Sequence, residues 1–254
     1  MKKAKKKIIE ELYNSFDLDF SDGYECEGEN VREDTFKHKL EELIKVKDII
    51  EVDSIINFAL FETLGNEHPS SKLWFESETD LKASIYLSLG GYYRQAIGCL
   101  RNWLEITLIG VYYSNYYKGK NSRFGQFING KRQAPIGKNL FNSLFRRKNF
   151  ENADNKFGFK KYLENLYNEL SSFIHCKGVE QYKLQDGRDN VPRFLMQSFD
   201  IWFKFLKRTA GMNVSILIIA YHQQLLDFFK NNKGEFNKLK RILRGEAIFA
   251  QLRS

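Results

Sequence analysis

The sequence is poor in the residues that interrupt helices and in those that staple small folds. It has three prolines in 254 residues, Pro69, Pro135 and Pro192, set far apart. An interior proline removes a backbone hydrogen bond and clashes with the preceding turn, so long proline-free stretches favour long helices. It has three cysteines, Cys26, Cys99 and Cys176, an odd number with no Cys-x-x-Cys spacing. That excludes a disulfide framework and a zinc knuckle and suits a reducing compartment. Cys99 and Cys176 fall in apolar helical runs and read as small buried hydrophobes. No apolar run approaches the roughly 20 residues needed to span a bilayer; the longest, Ile216–Tyr221, is far shorter. The basic start, MKKAKKKIIEELYNSF, is broken by Glu10, Glu11 and Asn14 and does not read as a secretory signal. These absences point to a cytoplasmic chain with no membrane partner.

Chemical signatures are sparse too. No Walker-type loop, dinucleotide fingerprint, HExxH or GxSxG string occurs. The four histidines, His38, His68, His175 and His222, are scattered, without the Glu-x-x-His pairs on two helices that a di-iron bundle needs. The expectation is therefore no metal and no cofactor.

What is present is apolar, aromatic and unevenly charged. Hydrophobic residues make up 43% and aromatics 15%, which argues against disorder and allows a sizeable core. The net charge of +8 is polarised: residues 17–34 hold eight acids against Arg32, while residues 118–161 hold twelve Lys/Arg against Glu151 and Asp154. Such a basic segment suits phosphate-rich partners.

Apolar positions recur at helical spacing almost throughout. Helices are expected over about 2–16, 33–64, 81–117, 160–176, 193–230 and 235–252, with an acidic loop at 17–31, a loop at 66–77 and a basic, weakly periodic stretch at 118–159. Within that stretch a short helix is expected near Asn139–Arg147. Gly65-Asn66 marks a stop. Gly90-Gly91 is expected to kink the long helix, and Gly211 to break the one at 193–230. No strand-period segment stands out, so the fold class is all-α, with a core built on helices near 80–117 and 160–177.

One polar stripe crosses an otherwise apolar face. Arg94, Gly98, Arg101, Glu105 and Leu108 are spaced by four, three, four and three residues and share one side of a helix. Gly98 would admit a close neighbour. The second helix ends YNELSSFIHCKG, where Ser171 and His175 share a face. Histidine titrates near neutrality and can serve as a general acid/base, or can complement a helix C-terminus.

The segments GGYYRQAIGCLRNWLEITLIGVYY and YNELSSFIHCKG together resemble the uncharacterised bacterial helical families grouped with the HEPN superfamily. The resemblance covers about residues 80–180. It implies a HEPN-like multi-helix bundle over 79–232; periodicity and charge add a helical segment with an acidic loop over 1–78 and a basic amphipathic helix over 233–254. It implies a defence or toxin-type protein acting on or binding RNA, with a homodimer and a partner protein or antitoxin in view. The alternative is a non-catalytic adaptor or oligomerisation module of a multi-protein antiphage complex. Catalytic HEPN proteins carry Arg, then four to six residues, then His. The two core helices here contain no such string, and the match by spacing, Arg32–His38, lies in the acidic segment. A metal-independent ribonuclease site would instead set His175 as acid/base, Arg101 against phosphorane charge and Glu105 to orient Arg101. Lys131, Arg132, Lys138, Arg146, Arg147 and Lys148 would hold the nucleic-acid backbone.

Overall fold

The computed structural model describes residues 28–119, 121–174 and 193–242, together with Ile8, Glu11 and Leu12. Among these residues 84% are helical and no strand occurs, so the chain is an all-α bundle. The helices are α1 (Gly28–His38), α2 (Leu40–Leu64), α3 (Pro69–Leu89), α4 (Tyr93–Tyr113), α5 (Arg123–Ile128), α6 (Gly137–Leu144), α7 (Lys148–Phe157), α8 (Phe159–Ile174), α9 (Met196–Asn231) and α10 (Lys233–Ile242). Most of the expected helix at 2–16, the outer part of the one at 235–252, residues 17–27 of the acidic loop expected at 17–31 and the loop at 178–192 lie outside the described residues; residues 28–31 of that acidic loop are helical and begin α1.

The long helix expected over 81–117 is two helices. Gly90 and Gly91 reverse the chain rather than kink it, and Gly91 sits at φ +81°, where a side chain is disfavoured. A Cβ there would also meet the Arg193 backbone at 2.9 Å. The helical periodicity continues across this turn because α3 and α4 each bury a stripe against the other. Residues 69–77, expected as loop, begin α3: Pro69 occupies its first turn, where a missing N–H costs nothing. The basic stretch holds three short helices, α5 to α7, in place of the one expected. Gly211 does not break α9; the backbone leaves helical geometry at Tyr221.

Side-chain contacts fix the directions. Ser84 Oγ donates to the Ala96 carbonyl at 2.7 Å, so α3 and α4 run antiparallel about the glycine turn. Tyr93 faces Phe199, and Gly110 and Leu217 line one small cavity, so α9 runs parallel to α4. Lys39 bonds Asp200 while Phe58 meets Phe228, so α2 also runs parallel to α9. Arg94 reaches the Phe173 carbonyl while Arg101 reaches Tyr167, so α8 runs antiparallel to α4. The result encloses α4, which contacts α3, α6, α8 and α9. Leu100, Leu104 and Leu108 are fully buried along it, each contributing roughly 1.5–3 kcal/mol relative to exposure. One hydrophobic cluster runs from Leu12 to Leu239. The division expected at 78/79 falls inside α3, and α2 packs across it on α9.

Polar groups are built into this core. Trp202 Nε1 donates to Ser84 Oγ at 3.0 Å, so one buried hydroxyl ties α9, α3 and α4 together. Asp53 on α2 is buried as well. Burial pushes its carboxyl up to about 7, with Glu78 adding to the rise and Asn57 opposing it.

Two outcomes follow. Ser84→Ala strands the buried Trp202 N–H, and urea unfolding should show a loss of about 1–3 kcal/mol. Asp53 holds its proton in the folded chain up to about pH 7 but releases it near pH 4 when unfolded. The folded state is therefore favoured at low pH, and this contribution is lost as pH rises through that window. Asp53→Asn should gain stability on the wild type between pH 4 and 7; parallel curves would refute the assignment.

Candidate functional site

The polar stripe lies in the seam between α4 and α8. Arg101 Nη2 donates to the Tyr167 hydroxyl at 2.6 Å, and its Nε donates to Ser171 Oγ at 3.1 Å. Tyr167 OH in turn donates to Glu105 Oε1 at 3.1 Å, and Arg101 Nη2 stands 3.2 Å from Glu105 Oε2. The Arg101 guanidinium also lies over the Tyr167 ring, 4.9 Å from its centroid. The Arg101 and Glu105 side chains are only 18% and 13% exposed, so this is a seam pair and not the surface pair that its spacing also allows. Burial and the Glu105 carboxylate push the Tyr167 phenol up, and Arg101 opposes them, so Tyr167 stays a neutral donor.

Arg94, about two turns earlier, donates to the carbonyls of Phe173 and Ile174 at 2.9 and 3.4 Å. It thus ties the start of α4 to the last described turn of α8. A Cβ at Gly98 would meet the Ile174 side chain at 3.8 Å, an ordinary contact, so crowding does not demand glycine there. His175 lies outside the described residues, as does Cys176. The arrangement shown for Arg101 and Glu105 is a closed set of hydrogen bonds across two helices.

The basic residues divide. Lys131, Arg132, Lys138, Arg146 and Lys148 are exposed, and no ion pair among the described residues involves them. Arg147 differs. Its Nη1 donates to the Val111 carbonyl at 2.9 Å and to Ser114 Oγ at 3.1 Å, and its Nη2 donates to the Tyr112 carbonyl at 2.7 Å. Burial pulls its pKa down, against the nearby Tyr221, Tyr116 and Tyr112. Arg147, expected to grip nucleic acid, caps the C-terminal end of α4 instead. The short helices that carry these cations gather at that end of the bundle. Phe124 and Phe127 pack on Tyr113, Phe141 on Tyr167, and Phe145 on Phe159.

A second polar cluster adjoins this end. His68 caps α3, its Nδ1 accepting from Ser70 N–H at 3.2 Å, which places the imidazole proton on Nε2. Its ring meets Tyr117 and Tyr221 edge-on at 5.0 and 5.5 Å. Ser70 Oγ and Tyr221 OH are 2.6 Å apart. Tyr221 also bonds Ser114, and burial pushes its phenol up to about 12 despite Arg147 nearby. Burial pulls His68 down to about 4. The Tyr221 hydroxyl thus sits at the bend of α9, and Asn149 Nδ2 donates to the Ile219 carbonyl there at 2.7 Å. Sequence reading missed this cluster. Its members come from four distant segments, and histidine is not a usual cap.

Among the described residues no group of three or more His, Cys, Asp or Glu is placed to hold a metal. No described helix is long and apolar enough to cross a membrane. Cys99 is half-buried, and burial together with Asp80 pushes its thiol up, away from the reactive thiolate. No protein-family model matches the chain, and no curated protein or solved structure matches it either.

The neutral His68 has a stability consequence. Its folded pKa of about 4 lies below the ordinary 6.5. Between those values the unfolded chain takes the extra proton, so stability is lost as pH falls from about 6.5 towards 4. Denaturant titrations of wild type and His68→Asn should diverge only in that window, by up to about 1.4 kcal/mol per pH unit. Curves of equal slope would show that His68 is not held neutral.

Proposed function

We propose that the chain is a HEPN-like helical module that binds RNA through the basic end of its bundle. One observation carries this reading. From residue 118 to residue 150 the sequence has nine Lys/Arg and no acid. The side chains of Arg123, Lys131, Arg132, Lys138, Arg146 and Lys148 stand exposed on the short helices and turns around the end of α4. Lysine and arginine that face solvent without carboxylate partners attract a polyanion, and neutralised phosphates release counterions on binding.

Binding is favoured over cleavage because Arg101 is engaged through Nε and Nη2 with Tyr167, Ser171 and Glu105. In this reading the stripe fixes the register of α4 on α8, and the basic end meets the ligand. A ribonuclease would draw its acid/base from His175. The bacterial defence or toxin setting, the homodimer and the partner protein belong to the same proposal and rest on the resemblance of the α4 and α8 segments.

Fluorescence anisotropy with a labelled twelve-nucleotide uridine strand (U12) tests the binding. Affinity should fall steeply with salt. The double variant Lys131→Ala/Arg132→Ala should flatten the log–log salt dependence by about 0.7 per phosphate contact removed. A wild-type chain that leaves the strand unbound at low salt would overturn the proposal. A strand recovered intact on a denaturing gel fits a binder. Cleavage that His175→Ala abolishes would put the enzyme reading in its place.

A further inference from the structure

Where the chain leaves α4 and turns into α5 it walls an open cleft of about 560 Å³. That is within the usual range for small-ligand sites, roughly 300–1,000 Å³. Its lining is specific in kind: the rings of Tyr116 and Tyr117, the cations Lys118 and Arg123, and the amides Asn115 and Asn121. None of the lining residues is acidic.

The walls are held by contacts behind them. Tyr117 rests edge-on against buried His68 at 5.0 Å. Tyr116 is tilted on Tyr112 at 5.4 Å, and Phe124 N–H donates to the Tyr116 carbonyl at 3.1 Å. Ser122 Oγ accepts from Gly125 N–H, and Phe124 is buried against Tyr113, so α5 cannot swing away without unpacking. The Arg123 guanidinium lies 4.8 Å from the Tyr116 ring centroid. A cation, a ring and amide hydrogen-bonding groups thus meet in one opening.

Ligand classes can be sorted against this lining. An apolar ligand would desolvate two cations and two amides without partners. Inorganic phosphate would use the cations and leave the rings idle. A nucleotide supplies a flat face for a ring, a base edge for an amide and a phosphate for Lys118 and Arg123. In a duplex the base faces are stacked away, so the strand must be single at this point.

We propose that this cleft holds one nucleotide of single-stranded RNA, its base stacked on Tyr116 and its phosphate between Lys118 and Arg123; this rests on the RNA-binding reading above. Asn115 and Asn121 face the base edge, and the exposed cations beyond the cleft follow the strand.

The test uses the full chain and two probes. Anisotropy with U12 compares wild type, Tyr116→Ala, Tyr116→Phe and Arg123→Gln, each checked for an unchanged thermal melt. Stacking predicts that Tyr116→Ala weakens U12 binding by about 5- to 100-fold, while Tyr116→Phe stays near wild type. Binding of a twelve-pair RNA duplex should not respond to Tyr116→Ala. If U12 binds Tyr116→Ala as it binds wild type, the cleft proposal falls and the RNA-binding reading stands. An equal loss on the duplex also sinks it, since a general structural effect would then explain both. Should wild type bind no U12, the RNA-binding reading has failed, and uridine monophosphate decides the cleft by saturation-transfer NMR. Transfer to the uracil protons that Tyr116→Ala removes and Tyr116→Phe keeps supports a nucleotide site. No transfer to wild type overturns it.

Discussion

The enclosure of α4 sets the terms for the rest of the molecule. Polar groups on the faces this helix turns to four neighbours call for partners from those neighbours, because an unpaired buried group costs as much as a lost hydrogen bond. Three of its polar features are answered by other elements. Ser84 from α3 takes the Ala96 carbonyl and in turn receives Trp202 from α9. Tyr167 and Ser171 from α8 take Arg101. Arg147, between α6 and α7, takes the last carbonyls. Apolar contact alone would let these helices slide along one another. The polar pairs fix the register.

The all-α class was legible because the 3.6-residue repeat is strong and is written directly in the positions of Leu81, Ile85, Leu100 and Leu104. The number of helices was less so. Two helices joined by a tight glycine turn and buried on facing stripes continue one another's periodicity, so Gly90-Gly91 reads as a flaw in a single rod. The bend at Tyr221 has no proline or glycine beside it; its hydroxyl is held by Ser70, about 150 residues away in sequence. Short helices such as α5 have too few turns to show a repeat at all.

The candidate site divides in the same way. The spacing of Arg94, Arg101 and Glu105 is local, and it placed all three on the face that meets α8. What answers them was not readable, because Tyr167 reaches Arg101 only through the register of two antiparallel helices. Exposure of Lys131, Arg132 and Lys138 follows from a polar, weakly periodic stretch. Burial of Arg147 does not, since its neighbours Arg146 and Lys148 look the same in sequence and point to solvent. The His68 cluster offered no local signal, being assembled from a loop, the end of α4, the start of α7 and the bend of α9.

Arg147 carries a consequence for the field around it. A helix concentrates about half a negative charge at its C-terminal end, where the final carbonyls lack partners. The C-terminal end of α4 opens on the turn that leads through Ser114 to Lys118, the region rich in cations. Left bare, that end would repel a phosphate brought close to it. With the Arg147 guanidinium on the Val111 and Tyr112 carbonyls, the dipole is cancelled where it would do most harm, and the surrounding lysines and arginines act on an approaching anion undiminished. Arg147 thus shapes the electrostatic potential of this end of the bundle without itself reaching solvent as a free charge.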